Sequence, residues 1–228
     1  MVKVCLRQFA REDDGATMVE FSIVMVLLIT VVFGFVDFGY ALYQWNSASK
    51  AVQVGARLAA VSNPVASDLE TFTGHVEGTT IPGGPSLSYE CICEGAGDGM
   101  CGDGATYACP GSTYNATAMN RIVFGSDGEC GAPVSADNPR PGMCDIFWRI
   151  EPENVAIDYI YSGLGFATRP EGPVPTIQVR LKDLTFQFFF LGDLLGFGNM
   201  TIPSMVSTIT GEDMSQCWPR ELTPPDCT

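Results

Sequence analysis

The sequence predicts an α+β protein. A long N-terminal helix, membrane-embedded in its first half, continues into a disulfide-rich, extracytoplasmic antiparallel β head. Three observations predict this. Residues 21–36 form a 16-residue run without a charge. Residues 64–228 hold 7 basic and 21 acidic side chains, and therefore the whole net charge of −14. Eight of the nine cysteines lie between Cys91 and Cys227, while Cys5 stands alone near the start. With 46% apolar residues and a mean hydropathy of +0.16, the chain has too much apolar content for a disordered one. Its acidity excludes nucleic acid as a partner, because phosphate neutralisation needs Lys and Arg.

The first element is a charged segment, residues 1–15, with Lys3, Arg7 and Arg11 against Glu12, Asp13 and Asp14. The apolar run follows it. As a helix the run is about 24 Å long, short of the roughly 30 Å hydrocarbon core of a bilayer. Continuing past Asp37 to Trp45 extends it to about 37 Å. Tyr40, Tyr43 and Trp45 then form an aromatic belt at one interface, with Asp37 nearby. The membrane-embedded half covers about residues 20–45. Basic residues before the run place residues 1–15 in the cytoplasm and the Cys-rich part outside, a single-pass inner-membrane arrangement. A conventional cleaved secretory signal fits poorly. Three acids precede the run, Glu20 opens it, and bulky residues follow Val36 where a cleavage site wants small ones.

The helix is predicted to continue through an exposed half, residues 46–62. Ala48, Val52, Gly55, Ala56 and Ala59 recur at helical spacing, whereas Lys50, Gln53 and Arg57 lie on other faces. Gly55, Ala56 and Ala59 make a narrow stripe that lets another element approach the backbone, and packing on the chain's own head is the simplest use of it. Asn63-Pro64 stops the helix, giving one element over about residues 16–62.

The head, residues 63–228, changes character. Residues 74–115 and 125–144 read as Gly/Pro-rich loops. Residues 176–181 alternate, with Ile177, Val179 and Leu181 on one face, and predict a strand. Residues 146–150, 155–161, 185–190 and 200–210 are further strand candidates, together giving a sheet whose apolar face packs on the second half of the helix. Residues 184–197 admit two readings. The aromatic run Phe186–Phe190 is either sheet core, the favoured one, or an exposed loop with a short helix near 191–195 that meets a partner or the membrane surface.

Cys91, Cys93, Cys101, Cys109, Cys130, Cys144, Cys217 and Cys227 form an even set in an oxidising compartment, which fits four disulfides. Cross-links would offset the high chain entropy of Gly-rich loops, and a terminal Cys217–Cys227 pair is plausible from their closeness in sequence. Zinc is disfavoured because no paired C-x₂-C knuckles occur and His75 is the one histidine. Calcium at Glu94, Asp98 and Asp103 is a minor alternative without EF-hand spacing; no cofactor is expected otherwise. No G-x-S-x-G, H-E-x-x-H or phosphate loop is present, so the chain reads as no enzyme.

The informative motif is Gly15-Ala-Thr-Met-Val-Glu20-Phe21, a glycine four residues before an acid–aromatic pair, where a charged stretch meets an apolar helix. It resembles the processing signal of type IVb-like prepilins. Two further stretches, residues 33–40 (Phe-Gly-Phe-Val-Asp-Phe-Gly-Tyr) and 55–60 (Gly-Ala-Arg-Leu-Ala-Ala), are similar in order and spacing to TadE-like proteins, minor pilins or pseudopilins of tight-adherence systems. The resemblance covers residues 15–60 and touches residues 202–212. It implies a type IV pilin-like architecture and cleavage between Gly15 and Ala16 by a prepilin peptidase. It also implies assembly through the helix, with Glu20, Phe21 and Asp37 at the assembly surface and Glu20 neutralising an N-terminal amine. The partners implied are other pilin subunits and the assembly platform, with possible entry into an extracellular pilus. Physical chemistry supports a partner for Glu20, since a carboxylate opening a membrane helix is costly alone. Two other classes stay open: a signal-anchored adhesin or receptor with a ligand-binding acidic head, and a secreted disulfide-rich domain.

Overall fold

The computed structural model describes residues 13–95, 99–131, 140–169, 172–190, 192, 200–211 and 214. The architecture is α+β. The chain divides into two compact units. One contains the described residues within 1–43 and 186–200, and the other those within 44–185 and 201–228.

Helix α1 spans Asp13–Ala60, about 72 Å at 1.5 Å per residue. It agrees with the expected span to within the two or three residues by which helix ends fray. No proline interrupts it, and Arg57 lies in its last turn, where a cation meets the negative end of the helix dipole. Every residue from 15 to 33 is exposed, apolar ones on all faces included. Two hydroxyls in this stretch are satisfied within the helix itself. Ser22 Oγ donates to the Met18 carbonyl at 2.8 Å and Thr30 Oγ1 to that of Val26 at 2.9 Å. Such back-bonding lets a hydroxyl sit in an apolar medium without an external partner.

The second unit is built on one antiparallel sheet in the order β2-β1-β3-β4-β5. Its strands are β1 (Glu90–Glu94), β2 (Met100–Asp103), β3 (Val155–Leu164), β4 (Val174–Leu181) and β5 (Val206–Thr210). Register places Tyr159 opposite Ile177 and Ile157 opposite Val179, so the inward alternation of β4 meets that of β3. Ile157, Tyr159, Ile177 and Val179 are fully buried. The Tyr159 hydroxyl accepts the Val65 N–H at 2.9 Å, which ties the chain after α1 to the centre of the sheet. Burial pushes that phenol, and the one of Tyr89, well above the usual tyrosine range.

Three expectations about the head need correction. Residues 74–115 are not all loop, since they contain the β1–β2 hairpin, in which Cys93 faces Cys101 directly. Residues 146–150 form no strand: α3, a single turn over Met143–Ile146, is followed by a turn that buries Phe147 and Ile150 and leaves Trp148 exposed. That spacing of three is not the two of a strand. Residues 185–190 are not sheet core either. Thr185 makes one isolated bridge to Thr201, and Phe189 is 64% exposed. Within 200–210 the strand is confined to β5. The proposed helix near 191–195 lies largely outside the described residues. Helix α2, Ala116–Phe124, was not anticipated.

Candidate functional site

The sequence-predicted residues fall in four places. The first is the start of α1. Gly15 has open space around its Cα, and Ala16, Glu20 and Phe21 are exposed, Phe21 to 67%. Ala16 and Glu20 are separated by four residues, one helical turn, and so lie on one face. Among the described residues, Gly15 and Glu20 stand clear of the rest of the first unit.

The second place is Asp37, in the same unit but in a different setting. It is 1% exposed. Its Oδ1 accepts the Phe189 N–H at 2.8 Å and its Oδ2 the Phe190 N–H at 3.0 Å. Phe33 stacks on Phe190 with centroids 4.2 Å apart, and Tyr40 tilts against Phe189 at 4.6 Å. Residues 33, 37 and 40 follow the i, i+4, i+7 rule of one helix face. Sequence reasoning identified Asp37 but not this loop partner. The amides of Phe189 and Phe190 are directed at Asp37 rather than at a ladder, which is why the aromatic run makes no strand.

The third place is the small-residue stripe. Gly55, Ala56 and Ala59 are buried, with Ala48, Ala51 and Val52 beside them. A Cβ on Gly55 would meet Met143 Sδ at 2.4 Å, so this glycine lets Met143 approach the helix backbone. Above the stripe, Arg149 Nη1 donates to Gln44 Oε1 at 3.3 Å, satisfying a fully buried amide.

The fourth place is the cysteine set. Cys91–Cys109, Cys93–Cys101 and Cys130–Cys144 are disulfides. Cys217 and Cys227 lie outside the described residues. Among the described residues no group of three or more His, Cys, Asp or Glu side chains comes together to hold a metal. Of the calcium candidates, Glu94 pairs with Lys182 at 2.7 Å and Asp103 accepts the Cys109 N–H at 2.8 Å, while Asp98 lies outside the described residues. His75 Nδ1 lies 2.9 Å from Thr80 Oγ1.

One feature of the head had no sequence signal beyond composition. A cavity of about 390 Å³ is lined by Tyr114, Phe124, Trp148, Glu151 and Glu153, among others. Trp148 is 64% exposed at it, and burial raises the Tyr114 phenol. The rings and carboxylates come from separated segments, so only the fold assembles them.

No curated protein and no solved structure matches the chain. The resemblance read from the N-terminal motifs holds: residues 15–57, from the glycine that opens the motif through the Gly55 stripe, match the family model of TadE-like proteins.

Proposed function

We propose that this chain is a minor pilin or pseudopilin of a tight-adherence-type pilus. Its α1 helix crosses the inner membrane once, a prepilin peptidase cleaves it between Gly15 and Ala16, and the mature subunit joins other pilin subunits on the assembly platform. One observation carries the reading. The TadE-like match begins at Gly15, and there an unhindered glycine, an exposed Glu20 and an exposed Phe21 open a helix long and apolar enough to span a bilayer. The chain is then a substrate and a structural subunit. Glu20 pairs with the α-amine that cleavage creates on Ala16, in a neighbouring subunit or on its own chain. The extracytoplasmic side carries the acidic head, whose disulfides suit an oxidising compartment.

The test is intact-mass analysis and N-terminal sequencing of the chain from cells that hold the matching peptidase. A start at Ala16 is expected, and Gly15→Leu should leave the precursor uncut. A chain retaining Met1 in both strains overturns processing and favours a plain signal-anchored adhesin or receptor. The cavity flanked by Trp148, Glu151 and Glu153 supports that second reading, because aromatic faces beside carboxylates suit a cationic ligand. A start beyond residue 40 points to a secreted domain.

A further inference from the structure

The loop over residues 186–190, Phe-Gln-Phe-Phe-Phe, contains no charge. It lies in the same compact unit as the first part of α1. Its backbone N–H groups at Phe189 and Phe190 are held by the Asp37 carboxylate, and the rings of both residues lie against Phe33 and Tyr40. These contacts do not bury the loop. Phe189 remains 64% exposed and Phe190 43%, and on other faces of the helix at the same level Phe35 is 73% and Phe38 62% exposed. Rings on the helix and rings on the loop thus form one aromatic collar around the helix, with the Asp37 carboxylate buried inside it, placed where the charge-free run ends.

We infer that this loop is a second membrane-contacting element, which inserts its phenylalanines into the headgroup–acyl boundary of the bilayer that α1 crosses. The inference rests on the transmembrane reading of α1. Two costs cancel in the arrangement. A loop amide in a poorly hydrated layer needs an acceptor, and a carboxylate there needs donors. Asp37 and the Phe189 and Phe190 amides supply each other. The occupant is lipid rather than a protein face. The collar continues directly from residues 15–33, whose apolar side chains are exposed all around the helix, and a bilayer covers all sides of a helix at once. Aromatic rings on an uncharged face are suited to that boundary.

The experiment places the photoreactive residue p-benzoylphenylalanine at Phe189, and separately at Leu27, in the full chain. The chain is reconstituted in nanodiscs of phosphatidylethanolamine and phosphatidylglycerol, irradiated, and analysed by mass spectrometry. A mass increase of one phospholipid is expected at both positions. Lipid adducts at Leu27 with none at Phe189 overturn the loop's placement and leave the transmembrane helix standing, whereas no adduct at either overturns both. A crosslink from Phe189 to a second copy of the chain in place of lipid also overturns the inference. Asp37→Leu should lower the adduct at position 189 and leave that at 27 unchanged; an undiminished adduct at 189 overturns the role given to Asp37.

Discussion

Asp158 shows how a single residue is held against its own solvation cost. It lies on β3, on the face of the sheet opposite Tyr159, with a side chain only 8% exposed. Arg180 of β4 closes on it through two parallel bonds, Nε to Oδ2 and Nη2 to Oδ1, both at 2.7 Å. The bidentate fork is the strongest geometry available to a carboxylate. That hydrogen bonding is also the main reason the guanidinium holds its proton more tightly than usual. Arg180→Ala would leave a largely buried carboxylate with two lost donors. Such losses reach about 3–5 kcal/mol in a dry interior. The Arg180 side chain is 36% exposed, so water reaches the site and the expected cost falls to about 2 kcal/mol. In urea unfolding of the detergent-solubilised chain, Arg180→Ala should therefore destabilise more than a surface substitution. The Arg180→Ala, Asp158→Ala double variant should cost about 1 kcal/mol less than the two single changes added together. Strict additivity would show that the pair contributes no coupling.

At the scale of elements, the stripe on α1 makes a sharper demand than its composition suggests. Gly55 in a helix interior costs about 1 kcal/mol relative to alanine, so some contact must offset it. Met143 is that contact, since its Sδ and Cγ would lie 2.4 and 2.8 Å from an added Cβ. Gly55→Leu should destabilise the head by about 2 kcal/mol through overpacking. Met143→Ala in the same chain should restore part of that loss, measured as the thermal midpoint in detergent. No loss in Gly55→Leu would mean that the helix and the α3 turn separate freely. The stripe was legible because small residues at helical spacing have few other uses. Strand β4 was legible because Ile177, Val179 and Leu181 alternate with polar residues, and β3 more faintly because Val155, Ile157 and Tyr159 alternate over its first half. The β1–β2 hairpin was hidden because its inward positions are half-cystines rather than Val or Ile. In Glu90-Cys-Ile-Cys-Glu94 the alternation is present, but the apolar face is written in disulfides. Helix α2 did carry signals. Asn115 Oδ1 accepts the Ala118 N–H at 3.0 Å as an N-cap, and Gly125 stops the helix with φ of 85°. They are weak signals because nine residues hold only about two and a half turns of period. The Asp37 loop and the Trp148 cavity join residues far apart in sequence, and no local pattern announces such pairs.

For the molecule as a whole, the decisive asymmetry is that residues 64–228 carry the entire net charge of −14, while residues 21–36 of the helix before them carry no charge at all. Glu20 and Asp37 are the two charged residues within the membrane-length part of α1, residues 20–45, and a carboxylate there is tolerated only with a partner. Asp37 has its partners inside the chain. Glu20 is exposed in this unit, so the pairing proposed for it is met by the Ala16 amine or by another subunit. Those alternatives differ in what they do to assembly. A pair within one chain would leave incorporation into filaments unaffected by Glu20→Ala. A pair between chains fixes the axial register of the incoming subunit, and losing about 1.4 kcal/mol there lowers incorporation about tenfold. The expected result follows the second course. Glu20→Ala subunits should still be cut after Gly15 and remain in the membrane fraction, yet fall about tenfold in sheared filaments relative to the unaltered chain. Glu20→Asp, which keeps the charge on a shorter arm, should recover part of the loss, and Glu20→Gln, which keeps the length without the charge, should recover little. Filament content unchanged in Glu20→Ala would remove the carboxylate from assembly and leave it as an interfacial acid at the start of an anchor.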